Sequence, residues 1–179
     1  MFVCTYIQND DEVVLYVCMF VHTNDDEVNE GLLPVLLFIH GYNFEEGTGN
    51  AYDASVISSF GRMVVVTINY RLGPLGFLST QDGTIHGNFA VLDIMAALHW
   101  IQINIKSFGG NLNNVTLLAE GHATSLVHIL LVTPVATVNH LFNKAILVGG
   151  SSFATWATTD HPTYYAKLLA DALNCSVVD

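Results

Sequence analysis

Hydrophobic and polar positions along the chain change period several times, and each change marks an element. Near-continuous apolar runs rich in Val, Ile and Leu occur at Val13–Val21, Val35–His40, Met63–Tyr70, Val115–Ala119 and Lys144–Val148. Runs of that length without polar alternation predict strands covered on both faces. Between them the period lengthens. Over Asn88–Phe108 the residues Val91, Leu92, Met95, Leu98, Ile101, Ile105 and Phe108 recur at three- and four-residue steps, predicting a helix with one apolar stripe packed on the core. Gly109 and Gly110 stop it. A second helix is expected after Gly121, through Ser125, Leu126, Ile129 and Leu130 until Pro134, and a third over Thr163–Leu173. From residue 63 onward the order strand, helix, strand, helix, strand, helix is that of parallel βαβ units. The acidic stretch Thr23–Glu30 reads as a solvated loop between two strands.

Composition narrows the function classes. Five Lys and Arg stand against sixteen Asp and Glu, a formal net charge of −11, so a phosphate-tracking groove has too few cations to form. Nucleic acid and anionic membrane surfaces are excluded as partners on that ground. The 179 residues suit one domain. Apolar content is high, at 51%, but every long apolar run is broken: Val13–Val21 ends at His22, Leu32–Ile39 contains Pro34, and Leu126–Val138 contains His128 and Pro134. None reaches the roughly 20 residues of a membrane-spanning helix. The opening MFVCTYIQNDDEV has no basic segment and turns acidic by Asp10, unlike a secretory signal. Cys4, Cys18 and Cys175 form an odd set without CxxC or Cys/His spacing, which argues against a zinc site and leaves the redox compartment open. No cofactor or metal is expected. A Cys4–Cys18 bridge is conceivable across a hairpin turning at Gln8–Asp11, but spacing alone does not decide it.

In an open parallel sheet, ligands bind beyond the carboxyl ends of the strands, so the turns after strands are where chemistry belongs. Two are distinctive: Phe38-Ile39-His40-Gly41-Tyr42-Asn43-Phe44, and Val115-Thr116-Leu117-Leu118-Ala119-Glu120-Gly121-His122-Ala123. Together with Asn69-Tyr70-Arg71-Leu72-Gly73-Pro74-Leu75-Gly76-Phe77-Leu78, Gly87-Asn88 and Phe108-Gly109-Gly110-Asn111, they make the chain resemble the type-B carboxylesterase and cholinesterase family. The resemblance runs from about Val14 to Cys175 and implies an α/β-hydrolase fold, a mostly parallel central sheet with helices on both faces. Residues 1–179 are then expected to be the N-terminal part of that family's domain.

Aligned through Val115–Glu120, Gly121 stands where the family carries its nucleophilic serine in a GxSxG elbow. The elbow holds its central residue at positive φ, which glycine adopts freely. The turn can persist, but without a hydroxyl to attack a carbonyl. Removing the nucleophile of a triad enzyme forfeits about six orders of magnitude in turnover. The family's oxyanion loop follows the strand-end His with bare glycines; here Gly41 is kept and Tyr42 and Asn43 add side chains. The backbone N–H of His122 remains as one vestigial donor. His40 is expected to be structural, and Ser125 to bond its own helix backbone rather than replace the nucleophile. By resemblance, Glu120 is a buried acid in a polar network supporting the elbow. The family's acid and histidine follow the nucleophile in chain order and are expected beyond Asp179.

Loss of the nucleophile to glycine is similar to the neuroligins and related cholinesterase-like adhesion proteins, as are Glu46-Gly47-Thr48-Gly49-Asn50, Gly76-Phe77-Leu78-Ser79-Thr80, and Trp156 after Ser151-Ser152-Phe153. That resemblance implies an extracellular, glycosylated, cell-surface domain with a neurexin-type protein partner, at the synapse, on a membrane protein that forms homodimers at full length. The family cysteine near Leu15-Tyr16 is replaced by Val14, and Cys175 matches a family cysteine whose partner lies further on. Two glycosylation sequons occur, at Asn114-Val115-Thr116 and Asn174-Cys175-Ser176. Two rival readings stand beside the non-catalytic one: a divergent carboxylic-ester hydrolase, and an incomplete fragment without a role of its own.

Overall fold

The computed structural model of the chain describes residues 1–8, 14–21, 31–134 and 140–175. Six strands form one sheet: β1 (Phe2–Gln8), β2 (Val14–Phe20), β3 (Leu33–Ile39), β4 (Val64–Asn69), β5 (Gly110–Glu120) and β6 (Lys144–Val148). Their spatial order is β1-β2-β4-β3-β5-β6. The pairs β1/β2 and β2/β4 are antiparallel; β4, β3, β5 and β6 run parallel. Among the described residues the α-helices are α1 (Ser55–Gly61), α2 (Gly73–Phe77), α3 (Phe89–Asn104), α4 (Ala123–Val132) and α5 (Pro162–Ala172).

The five expected strands and three expected helices are all present, with ends shifted by a few residues. The long helix stops at Asn104 and tightens into a 3₁₀ turn over Ile105–Phe108, closed by Gly109 at φ +77°, whose N–H donates to the carbonyls of Ile105 and Lys106. The Thr23–Glu30 loop and the proposed hairpin turn lie mainly or wholly outside the described residues. The short helices α1 and α2, five to seven residues long, carry too little periodicity to be read from sequence.

Two expectations are corrected. The buried face of α3 is Ala90, Asp93, Ile94, Ala97, Leu98 and Ile101, whereas Leu92 of the expected stripe is exposed. This helix is apolar nearly all round, so its pattern does not select a face; small Ala90 and Ala97 let its axis approach the sheet. And β6 is an edge strand, not a covered central one: Ile146 and Val148 are half-exposed. The central strands β3, β4 and β5 meet the expectation, with Val35, Leu37, Ile39, Val64, Val66, Ile68, Val115, Leu117 and Ala119 in the main core. Cys4 and Cys18 lie directly opposite in the β1/β2 ladder, with Cα atoms 4.1 Å apart, and are joined as a disulfide.

Candidate functional site

Strand β3 ends at Ile39 and β5 at Glu120, side by side in the sheet, so the turns that follow them meet above the same edge. Gly121 sits at φ +57°, the left-handed conformation of a strand-to-helix elbow, and α4 starts two residues later. Its N–H donates to Val148 O at 2.9 Å, tying the bend to the end of β6. Its carbonyl accepts the Thr124 hydroxyl at 2.6 Å, closing the first turn of α4. A Cβ on residue 121 would lie 3.1 Å from Gly41 O, so the two expected turns are in contact here. The elbow geometry is present, and glycine at 121 carries no side-chain hydroxyl.

Opposite, His40 and Gly41 are packed from below by Tyr70. The Tyr70 hydroxyl donates to His40 O at 2.5 Å, and its ring stacks on the imidazole with centroids 4.8 Å apart. Burial raises the Tyr70 pKa beyond its ordinary value, so it stays a donor. His40 is 1% exposed, and among the described residues neither ring nitrogen has a hydrogen-bond partner. Desolvation lowers its pKa from 6.5 to about 4, keeping it neutral. The buried imidazole packs beneath the loop against Tyr70.

The loop from Gly41 turns back on itself. Asn43 (φ +56°) and Phe44 (φ +61°) are both left-handed, Glu45 N–H donates to Tyr42 O at 3.4 Å, and Tyr42 bridges to Glu46. After Gly41, two non-glycine residues thus hold a backbone that glycine adopts more readily. Asn43 N–H, an amide of the type that cradles an oxyanion, instead donates to His122 Nδ1 at 3.2 Å. The His122 ring lies 4.3 Å from the Trp156 ring centroid, 5.5 Å from Phe44 and 5.9 Å from Tyr42.

Glu120 departs from its expected place. It is exposed rather than buried: as the last residue of β5 it lines an open cleft with Tyr42, Tyr52 and Val148. It still makes a polar contact: the Tyr52 hydroxyl donates to Glu120 Oε1 at 2.9 Å. Burial first, and then the Glu120 carboxylate, raise the Tyr52 pKa. Ser125 is fully buried and its hydroxyl donates to His122 O at 2.9 Å, which removes it as a nucleophile. Asn114 lies within β5, half-buried, and accepts the Lys144 ammonium at 3.0 Å. Asn174 is exposed just past the end of α5 at φ +52°.

Sequence reasoning missed the pair Ser152–His128, in which both the Ser152 amide (3.2 Å) and hydroxyl (2.8 Å) approach His128 Nδ1. One ring nitrogen shared by an amide and its own side chain anchors the loop after β6. The wall formed by Phe44, Phe77 and Trp156 was visible only as scattered aromatics. It borders a cleft of about 1130 Å³ that also takes in Asn88, Leu126 and Tyr165, and no Asp, Glu, Lys or Arg lines it. Among the described residues, no three His, Cys, Asp or Glu side chains cluster as metal ligands, and no helix is long and apolar enough to cross a membrane.

A mostly parallel sheet with a left-handed strand-to-helix elbow after β5, facing a loop after β3, defines the α/β-hydrolase fold. The chain belongs to the Carboxylesterase family, whose profile matches residues 5–179. It is 38% identical to mouse (Mus musculus) Neuroligin-3 over 201 residues, an alignment covering 99% of this chain and 24% of that protein. Neuroligin-1 of Caenorhabditis elegans is 34% identical over 173 residues, covering 96% and 22%. Among solved structures, a thermophilic PNB esterase superposes with a TM-score of 0.79 at 36% identity over 90% of this chain and 33% of the esterase. The chain thus spans about a quarter of the length of the neuroligins it matches and a third of that esterase.

Proposed function

We propose that residues 1–179 are the N-terminal part of a non-catalytic carboxylesterase-like domain used for protein–protein recognition at the cell surface, with a neurexin-type partner. The observation that carries this reading is Gly121: the elbow keeps its left-handed backbone at φ +57° and has no hydroxyl to acylate. His40 is buried and neutral, and Ser125 is bonded into its helix, so neither replaces it. Similarity to the neuroligins across almost the whole chain supports an adhesion role over hydrolysis. It also supports a synaptic membrane glycoprotein that is homodimeric at full length. Of the two sequons, exposed Asn174 is the better glycan acceptor, since Asn114 is half-buried and engaged by Lys144.

The test has two arms. Incubation with a fluorophosphonate probe and with a chromogenic short-chain ester should give no adduct and no turnover above background; an adduct on this chain would establish the hydrolase reading instead. Surface resonance against an immobilised neurexin ectodomain should give saturable binding. Failure of a folded, cooperatively melting chain to bind would remove the partner assignment, and failure to fold would favour a fragment without a role of its own.

A further inference from the structure

We propose that His122 is a latch that closes the former reaction site independently of the missing hydroxyl: its imidazole occupies the oxyanion position and holds down the strained Tyr42–Glu46 turn. The proposal rests on reading residue 121 as the elbow. It concerns a different residue and a different contact.

His122 immediately follows the elbow and opens α4, with φ −68° and ψ −30°. That placement sends its side chain toward the loop after β3. A reacting carbonyl oxygen would sit roughly 2.7–3.1 Å from the loop amides. Nδ1 lies 3.2 Å from Asn43 N, so the space an oxyanion would need already holds an acceptor. Because Nδ1 accepts, the neutral ring carries its proton on Nε2.

The turn needs such a tie. Asn43 and Phe44 are consecutive non-glycine residues in the left-handed region, at φ +56° and +61°, where Asn is tolerated and Phe is disfavoured. Such a conformation persists only when its surroundings over-determine it. Phe44 is held by Gly73 N–H, which donates to its carbonyl at 2.7 Å, and by its ring contacts with Phe77 and Trp156. Among the described residues, the Asn43 amide is held by His122 Nδ1. Trp156 packs on the imidazole with ring centroids 4.3 Å apart, and Phe44 touches both rings. The result is a closed aromatic cap where a catalytic relative would have an open cradle.

Amide hydrogen exchange and imidazole ¹⁵N shifts on the labelled 179-residue chain test this. In the wild type, His122 Nδ1 should resonate as an unprotonated acceptor nitrogen and the Asn43 amide should be protected. His122→Ala should speed exchange at Asn43 by at least about tenfold while amides of β3 and β4 keep their protection. His122→Phe retains a ring against Trp156 but has no acceptor, and should accelerate Asn43 likewise; it also serves if the alanine variant does not fold. A protonated Nδ1 in the wild type, or wild-type protection of Asn43 in the folded variants, would overturn the latch. Fluorophosphonate labelling reports on residue 121 and not on these signals, so the two readings fail separately.

Discussion

Arg71 grips Asp93 at three points: its backbone N–H and Nε both donate to Oδ2 at 2.9 Å, and Nη2 donates to Oδ1 at 2.6 Å. The pair joins the end of β4 to the buried face of α3. It is asymmetric, since the Asp93 side chain is 2% exposed and that of Arg71 is 38% exposed. Arg71 also lies over the Phe89 ring, 4.9 Å from its centroid. Asp93 both raises the Arg71 pKa and satisfies the amide at the strand exit.

That asymmetry sets the order of two mutations. Arg71→Ala leaves the buried carboxylate without its counter-charge, keeping only the residue-71 amide as donor, and should cost about 3–5 kcal/mol. Asp93→Asn leaves one acceptor for the Arg71 amide and lets the guanidinium turn to water, so its cost should be smaller, about 1–3 kcal/mol. Urea unfolding of both variants checks this. Equal losses, or a larger loss for Asp93→Asn, would contradict the asymmetry.

Buried His40 makes stability depend on pH. Its folded pKa of about 4 lies below the unfolded value of 6.5, so between those values the unfolded chain binds the extra proton. The contribution is complete above pH 6.5 and is lost as pH falls toward 4, amounting to about 3 kcal/mol. Unfolding midpoints measured across that window should fall with acidification. In His40→Phe the same slope should be visibly shallower; an unchanged slope would assign it to other groups.

Restoring the hydroxyl should destabilise the elbow. Gly121→Ser places a side chain at φ +57° and a Cβ 3.1 Å from Gly41 O. The left-handed conformation costs an L-residue about 1–2 kcal/mol. For a domain of this size that corresponds to a melting temperature lower by roughly 2–8 °C. A serine variant as stable as the wild type would show that the elbow is not held left-handed.

The Cys4–Cys18 bridge closes a 14-residue separation at the β1/β2 edge. Loop-closure entropy for a loop of that size predicts about 3 kcal/mol of stabilisation. Cys4→Ser should lower the urea midpoint accordingly and abolish the effect of dithiothreitol on unfolding. Non-reducing peptide mapping should recover the Cys4–Cys18 cross-link from the wild type and leave Cys175, which is exposed and free, available to alkylation.

Much of the fold was legible because its signals are local. Val64–Asn69 is apolar at nearly every position and became a strand buried on both faces. Gly109 and Gly110 ended the long helix region, and the glycine at 121 marked a left-handed turn. The face of α3 was not legible, because a helix with apolar residues on all sides has no preferred orientation until the sheet is beside it. Helix α2 was hidden in Gly73-Pro74-Leu75-Gly76-Phe77, whose two glycines are poor helix formers.

The site divides along the same line. The chain by itself determined that residue 121 carries no hydroxyl and that Tyr42 and Asn43 follow Gly41, because residue identity settles both. Only the tertiary structure decided that His122 accepts from Asn43, that Tyr52 reaches Glu120 at the exposed end of β5, and that Cys4 faces Cys18. Asn43 and His122 are 79 residues apart. Contacts between segments so distant follow from strand register and packing through space, which no local pattern of side chains encodes.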